Sequence, residues 1–208
     1  MNSRDLRGGR GRRARVSHCM CLLVIVGVGI TGCGRVPTLA LQSISGTMPD
    51  LEFHLTDDSG RAVTARSYRG DVVLLYFGYT HCPDACPTTL AVLSQAIKPL
   101  GAEASGVRVL FVSVDPRRDN TALLKNYVGF FGPEFIGLRG DIGELTSLTG
   151  RYHASFKLDP PERDGNYTVE HSNSVYIFDP AGRVRLLTDA TDKPTLITHD
   201  LRALIGGA

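Results

Sequence analysis

The chain has 208 residues, 42% hydrophobic and 21% charged, with a formal net charge of +2; this is enough apolar material for one ordinary core and excludes a disordered or low-complexity protein. The positive excess belongs to the first stretch alone. Without residues 1–32, six arginines and Asp5 are gone, Lys+Arg falls from 23 to 17 and Asp+Glu from 21 to 20, and the balance of −3 excludes a nucleic-acid footprint on the remainder.

In chain order, Arg4 to Arg15 form a basic segment, Cys21 to Ile30 an apolar run, and Thr31-Gly32-Cys33 a small-residue site, the layout of a bacterial export signal. The apolar run is well short of the roughly 18–20 residues that cross a bilayer. Ile30-Thr31-Gly32-Cys33 resembles a lipoprotein processing site, at which Cys33 would become the lipid-bearing first residue. The expected organisation is therefore an export signal over 1–32, a lipid-anchored tether over 33–50 rich in Ser, Thr, Gly and Pro, and a domain over 51–208, held at a membrane of the bacterial cell envelope and facing the periplasm. Of five cysteines, Cys19 and Cys21 leave with the signal and Cys33 is lipidated, so only Cys82 and Cys86 remain as thiols. A disulfide between them would close a tiny loop and add little stability, which points to chemistry rather than scaffolding.

Leu51 to Leu55 alternates, Asp57-Asp58-Ser59-Gly60 signals a turn, and Ala62 to Thr64 can pair back as an N-terminal hairpin with His54 facing solvent. Val72 to Phe77 is continuously apolar, as a strand covered on both faces is, and it runs through Gly78 to His81 into Cys82-Pro83-Asp84-Ala85-Cys86-Pro87. A helix follows through Leu90, Leu93 and Ile97. With Pro83 and Pro87 in its first turn, Cys82 and Cys86 share one helical face at the positive end of the dipole, where thiolate is favoured. Val107 to Val114 is a second buried strand. Asp119-Asn120 offers a cap to a helix through Leu124 and Val128. Phe135 to Leu138 reads as a short edge strand, and Asp141 to Tyr152 as a helix with Ile142, Leu145 and Leu148 on one side. Phe156–Leu158 and Tyr167–Val169 flank an exposed hairpin insert, Ser174–Phe178 and Val184–Leu187 form a closing hairpin, and Thr195 to Ile205 a last helix.

Two parallel strands, a closing hairpin and a dithiol where the first strand meets its helix describe an α/β, thioredoxin-like fold, here with an N-terminal β-hairpin and a β-hairpin insertion. The three residues between the cysteines, against the two of thioredoxin-type sites, do not by themselves exclude redox work. His171 decides the chemistry. A histidine before a strand is ordinarily a hydrogen-bonded packing residue, but His171 stands where thioredoxin-like enzymes carry a cis-proline against the dithiol. An imidazole there joins two soft sulfurs to one borderline nitrogen, a donor set suited to copper, Cu(I) in particular.

Tyr79-Thr80-His81-Cys82-Pro83-Asp84-Ala85-Cys86-Pro87, then Val112-Ser113-Val114-Asp115-Pro116 with Arg118-Asp119, then His171-Ser172 before Val175-Tyr176-Ile177-Phe178-Asp179, resemble the Sco/SenC family of copper chaperones for cytochrome c oxidase. The likeness covers about Met48 to Ile205. It implies a thioredoxin-like fold, Cu(I) or Cu(II) held by Cys82, Cys86 and His171, and delivery to the binuclear copper site of cytochrome c oxidase subunit II or a related copper-oxidase subunit, with another periplasmic copper chaperone as a further partner.

The other candidates have plainer readings. His81 is structural or tunes the neighbouring thiolate; Asp84 caps the helix; Asp115 serves a turn or approaches Cu(II) as a weak extra ligand; His153 and His199 are solvated or packed. Met48 alone follows Cys33, so there is no methionine-rich copper motif. The competing function is a thiol-disulfide oxidoreductase that uses Cys82 and Cys86 to reduce the cysteine pair of the oxidase copper site. It needs the dithiol but not His171. Peroxide reduction is disfavoured, because peroxidases of this fold surround one attacking cysteine with a different Pro and Thr pattern.

Overall fold

Val72–Gly78 (β4) and Val107–Ser113 (β5) lie side by side in parallel, from Val72 opposite Val107 to Gly78 opposite Ser113. Every residue of β4 is buried, and in β5 only Arg108 is partly exposed, which is the physical meaning of their unbroken apolar sequences: both faces of this pair are covered. The computed structural model describes residues 38–161, 163 and 166–207. The expected export signal over 1–32 and the lipidation at Cys33 lie outside the described residues.

Around this pair an eight-stranded sheet is assembled from Gln42–Ser43 (β1), His54–Asp57 (β2), Ala62–Thr64 (β3), β4, β5, Phe135–Arg139 (β6), Val175–Phe178 (β9) and Val184–Thr188 (β10), in the order β1-β10-β9-β4-β5-β6-β2-β3. β5 and β6 are also parallel, and all other neighbours are antiparallel. Phe156–Leu158 (β7) and Val169–His171 (β8) form a separate two-stranded ribbon, the expected insertion, with its second strand two residues later than the expected Tyr167–Val169 so that His171 lies within it opposite Phe156. Four α-helices connect or flank these strands: Ala85–Ile97 (α1), Thr121–Gly129 (α2), Ile142–Arg151 (α3) and Pro194–Ile205 (α4). The α/β thioredoxin-like architecture read from the sequence is the one observed.

Three local devices hold these elements, the first of them, the Asn120 cap, as expected. Asn120 caps α2, its side chain accepting from the Leu123 amide at 2.9 Å. Asp141 and Glu144 exchange side-chain-to-backbone bonds of 2.8 Å as a capping box on α3. In the β9–β10 hairpin the buried Asp179 accepts from the amides of Ala181 and Arg183, both at 3.0 Å, and so fixes the turn.

Several details differ from the expectations. Phe135–Arg139 is not an edge strand: it sits between β5 and β2, because the N-terminal hairpin returns to pair with it. The segment expected as tether is folded from about Ala40 onward. Asp200, fully buried on α4, accepts the amides of Ala40 (2.9 Å) and Leu41 (2.8 Å), β1 pairs with β10, and Leu41 and Ile44 enter the core. Ile142, expected with Leu145 and Leu148, is 53% exposed because it begins α3 before the helix reaches its packing face. Asp119 is not a helix cap but a buried acceptor near the dithiol.

Candidate metal centre

The end of β4 sets the site. Gly78 is its last residue, and a Cβ built there would stand 2.6 Å from the Phe111 ring and 2.9 Å from the Cys86 sulfur. Only glycine lets the helix bring Cys86 so close to the strand. Beyond it, the loop that carries Cys82 is fastened by Asp119. That carboxylate accepts from the Thr80 amide at 3.0 Å, the Thr80 hydroxyl at 2.6 Å and the Ser113 hydroxyl at 2.6 Å, tying the loop to the end of β5.

α1 begins at Ala85, so Cys82 and Pro83 precede it. The two cysteines therefore do not share a helical face as expected. Pro83 and the non-helical Asp84 (φ −143°, ψ −65°) interrupt the helix between them, while Pro87 does lie in the first turn. Asp84 occupies the cap position without making a side-chain cap bond; it accepts instead from the Thr88 hydroxyl at 3.3 Å. The capping acceptor is sulfur: the Cys86 amide donates to Cys82 Sγ at 3.3 Å.

Cys86 is fully buried and Cys82 half-buried, and both are free thiols. Burial pushes the Cys86 thiol up to about 12, and the neighbouring Cys82 adds to the rise. The thiolate expected from helix position is thus overridden at Cys86 by loss of solvent.

His171 ends β8 on the insertion ribbon. Its Nε2 lies 3.2 Å from Cys86 Sγ and its Nδ1 3.0 Å from the Ser172 carbonyl. A carbonyl can only accept, so Nδ1 carries the proton, and in the neutral ring Nε2 presents its lone pair to the sulfurs. Burial lowers the His171 pKa and keeps that ring neutral. Tyr79 and Tyr76 meet the imidazole edge-on, with centroids 5.8 and 6.1 Å away. The donor atoms of Cys82, Cys86 and His171 all lie within 4.8 Å of one another, and they are the one such group of three among the described residues. Bonds of about 2.0–2.3 Å, usual for nitrogen and sulfur donors, set the donors of a three-coordinate ion roughly 4 Å apart, so a small shift closes this triangle on a metal.

The ribbon carrying His171 is held by residues that only the structure brings together. The Tyr167 hydroxyl donates to Asp115 Oδ1 at 2.6 Å, Arg118 donates to Asp115 Oδ2, and the Arg118 guanidinium stacks on the Tyr167 ring at 3.6 Å. Both oxygens of the fully buried Asp115 are taken, so its role is to latch the ribbon, not to approach a metal. His81 is 47% exposed, 3.0 Å from the Thr80 hydroxyl, and stands outside the triangle. His153 leaves α3 in the left-handed region (φ 51°), and His199 pairs with Asp200 at 2.8 Å, both away from the triangle. Sequence reasoning missed Gly78, Tyr167 and Arg118. It also missed Tyr76, whose hydroxyl in an otherwise apolar buried strand was the available signal.

Comparison with known proteins follows the same lines. The human mitochondrial "Protein SCO2 homolog" is 39% identical over 140 residues, covering 66% of this chain and 52% of that protein; the chain thus spans about half the length of the mammalian relatives it matches. The structure of Bradyrhizobium japonicum ScoI with copper bound is 39% identical, with a TM-score of 0.68 over 74% of this chain and 98% of that one. Yeast Sco1 with copper bound is 28% identical, with a TM-score of 0.70 over 77% and 90%. The SCO1/SenC family model matches residues 41–206, and with that span of sequence and this fold the chain belongs to the SCO1/SenC family.

Proposed function

We propose that this chain is a copper chaperone that carries Cu(I) or Cu(II) on Cys82, Cys86 and His171 and delivers it to the binuclear copper site of cytochrome c oxidase during assembly. The observation that carries the reading is the lone pair of His171 Nε2 aimed at the buried Cys86 sulfur at 3.2 Å. Copper is cargo here. Two thiolates and one imidazole suit it in its softer state, and the half-buried Cys82 offers an incoming thiolate of the partner a point of entry for ligand exchange. The relatives with copper bound support the same reading. Client and chaperone partners are those the resemblance implies: oxidase subunit II or a related subunit, and another periplasmic copper chaperone. Anchoring through lipid on Cys33, facing the periplasm, completes the proposal; a Cys33→Ser protein recovered in the membrane at mature size would contradict it.

The oxidoreductase reading keeps one observation in its favour: Cys82 Sγ is accessible and accepts the amide at the start of α1, as an attacking sulfur does. Cells lacking the chain separate the two. Complementation with His171→Ala should leave oxidase activity low, and added copper should restore part of it. Full complementation by His171→Ala, with none by Cys82→Ser or Cys86→Ser, would replace the chaperone by the reductase.

A further inference from the structure

Tyr76 is fully buried on β4 and its hydroxyl makes no hydrogen bond of normal geometry. It stands two residues before Gly78, on the face of the strand that meets the Cys86 sulfur, its ring meets His171 edge-on with centroids 6.1 Å apart, and the Cys86 sulfur and the Thr89 hydroxyl, one turn further along α1, are the polar groups nearest its hydroxyl. Thr89 gives its proton to the Ala85 carbonyl at 2.9 Å and could only accept from the phenol, but no Tyr76–Thr89 bond of normal geometry forms. The Cys86 thiol, as a neutral group facing His171, is only a weak acceptor. A phenol in a dry core with no partner is costly and calls for an explanation.

We infer that Tyr76 is a positioning residue for the metal site, its O–H held for the sulfur of Cys86 once that sulfur coordinates copper. The inference rests on the chaperone reading given above. When Cys86 becomes a ligand its thiol proton leaves to solvent, the sulfur acquires negative charge, and a buried donor already at its side can give a charge-assisted hydrogen bond. The hydroxyl that has no well-formed bond beside a neutral thiol gains one beside a thiolate. Tyr76 then favours the loaded state over the empty state without touching the metal, in the manner of the outer hydrogen bonds that tune metal ligands.

The sign of this effect is unusual and makes it testable, because deleting the hydroxyl should spare the empty protein and harm only the loaded one. The experiment compares the purified full chain with Tyr76→Phe, which removes one oxygen and keeps the ring. A control is Tyr127→Phe, which deletes another buried, unbonded hydroxyl near the site. Three quantities are read: melting temperature without metal, Cu(I) affinity by competition with a chelator, and the sulfur-to-copper charge-transfer band of the Cu(II) form. Tyr76→Phe should melt at the same temperature or higher, bind Cu(I) about 10-fold or more weakly, and move the band to lower energy, while Tyr127→Phe leaves affinity and band close to wild type. Unchanged affinity and band in Tyr76→Phe, or equal changes in both variants, would overturn the assignment, as would a lowered melting temperature without metal that accounts for the weaker binding. Failure of wild type itself to bind copper, or binding that survives His171→Ala unchanged, would instead bring down the chaperone reading and this inference with it.

Discussion

His171 Nε2 and Cys86 Sγ face each other at 3.2 Å across the join between the insertion ribbon and the first turn of α1, 85 positions apart in the chain. In the free protein the contact is a thiol donating to an imidazole. Replacing that proton by a metal ion would keep both donors and add Cys82, so the three side chains already stand in the arrangement that a metal ion would need.

The two thiols should differ sharply in reactivity. Cys86 is buried and its thiol is raised to about 12 from the ordinary 9.0, whereas Cys82 is half-buried. In native protein at about pH 8, iodoacetamide should label Cys82 and leave Cys86 unmodified, and urea should expose both. Peptide mass mapping checks this. The same shift has a thermodynamic consequence: above about pH 9 the unfolded chain loses the Cys86 proton while the folded chain keeps it, so stability falls as pH rises from about 9 toward 12. Cys86→Ala should flatten the start of that decline in urea titrations.

Gly78→Ala places a methyl group 2.6 Å from the Phe111 ring and 2.9 Å from Cys86 Sγ. Overpacking of this kind should cost about 1–3 kcal/mol of stability and push the sulfur off His171. Chemical denaturation measures the first effect and Cu(I) competition the second; a variant of wild-type stability and affinity would show that the close approach is not required.

The latch on the ribbon should matter in proportion to what each partner loses. Tyr167→Phe removes one bond to Asp115 and should cost about 1 kcal/mol. Asp115→Ala also strips the partly buried Arg118 of its counter-charge and should cost about 3 kcal/mol or more. In both, the His171 ring signals in NMR should broaden or shift as the ribbon loosens. Unchanged signals in Asp115→Ala would mean that β7 and β8 hold His171 without help.

What the sequence made legible divides by range. The core strands were plain because Val72–Gly78 is apolar throughout and Val107–Ser113 nearly so, and the cap at Asn120 was plain because it acts on a residue three positions away. Gln42–Ser43 was hidden because a two-residue strand has no period, and the strand it pairs with, Val184–Thr188, lies at the far end of the chain. Phe135–Arg139 could be read as a strand but not as an interior one, since that depends on where the N-terminal hairpin docks. At the site, Cys82, Cys86 and His171 were singled out by residue type and by their place in the fold. Their split between helix and loop turned on how Pro83 and Asp84 lie, which spacing alone does not determine. The raised Cys86 thiol follows from burial, a property of the packed molecule and not of the helix terminus.

The central claim is that His171 is a metal ligand and not a packing residue. The most direct measurement is copper stoichiometry and affinity, with Cu(II) spectra, for the purified chain and its His171→Ala form, alongside oxidation of the dithiol as a control. The account requires one copper per chain in wild type, markedly weaker binding and altered spectra in His171→Ala, and dithiol oxidation that persists in the variant, because that reaction needs only the sulfurs. Unchanged copper binding and spectra in His171→Ala would contradict it.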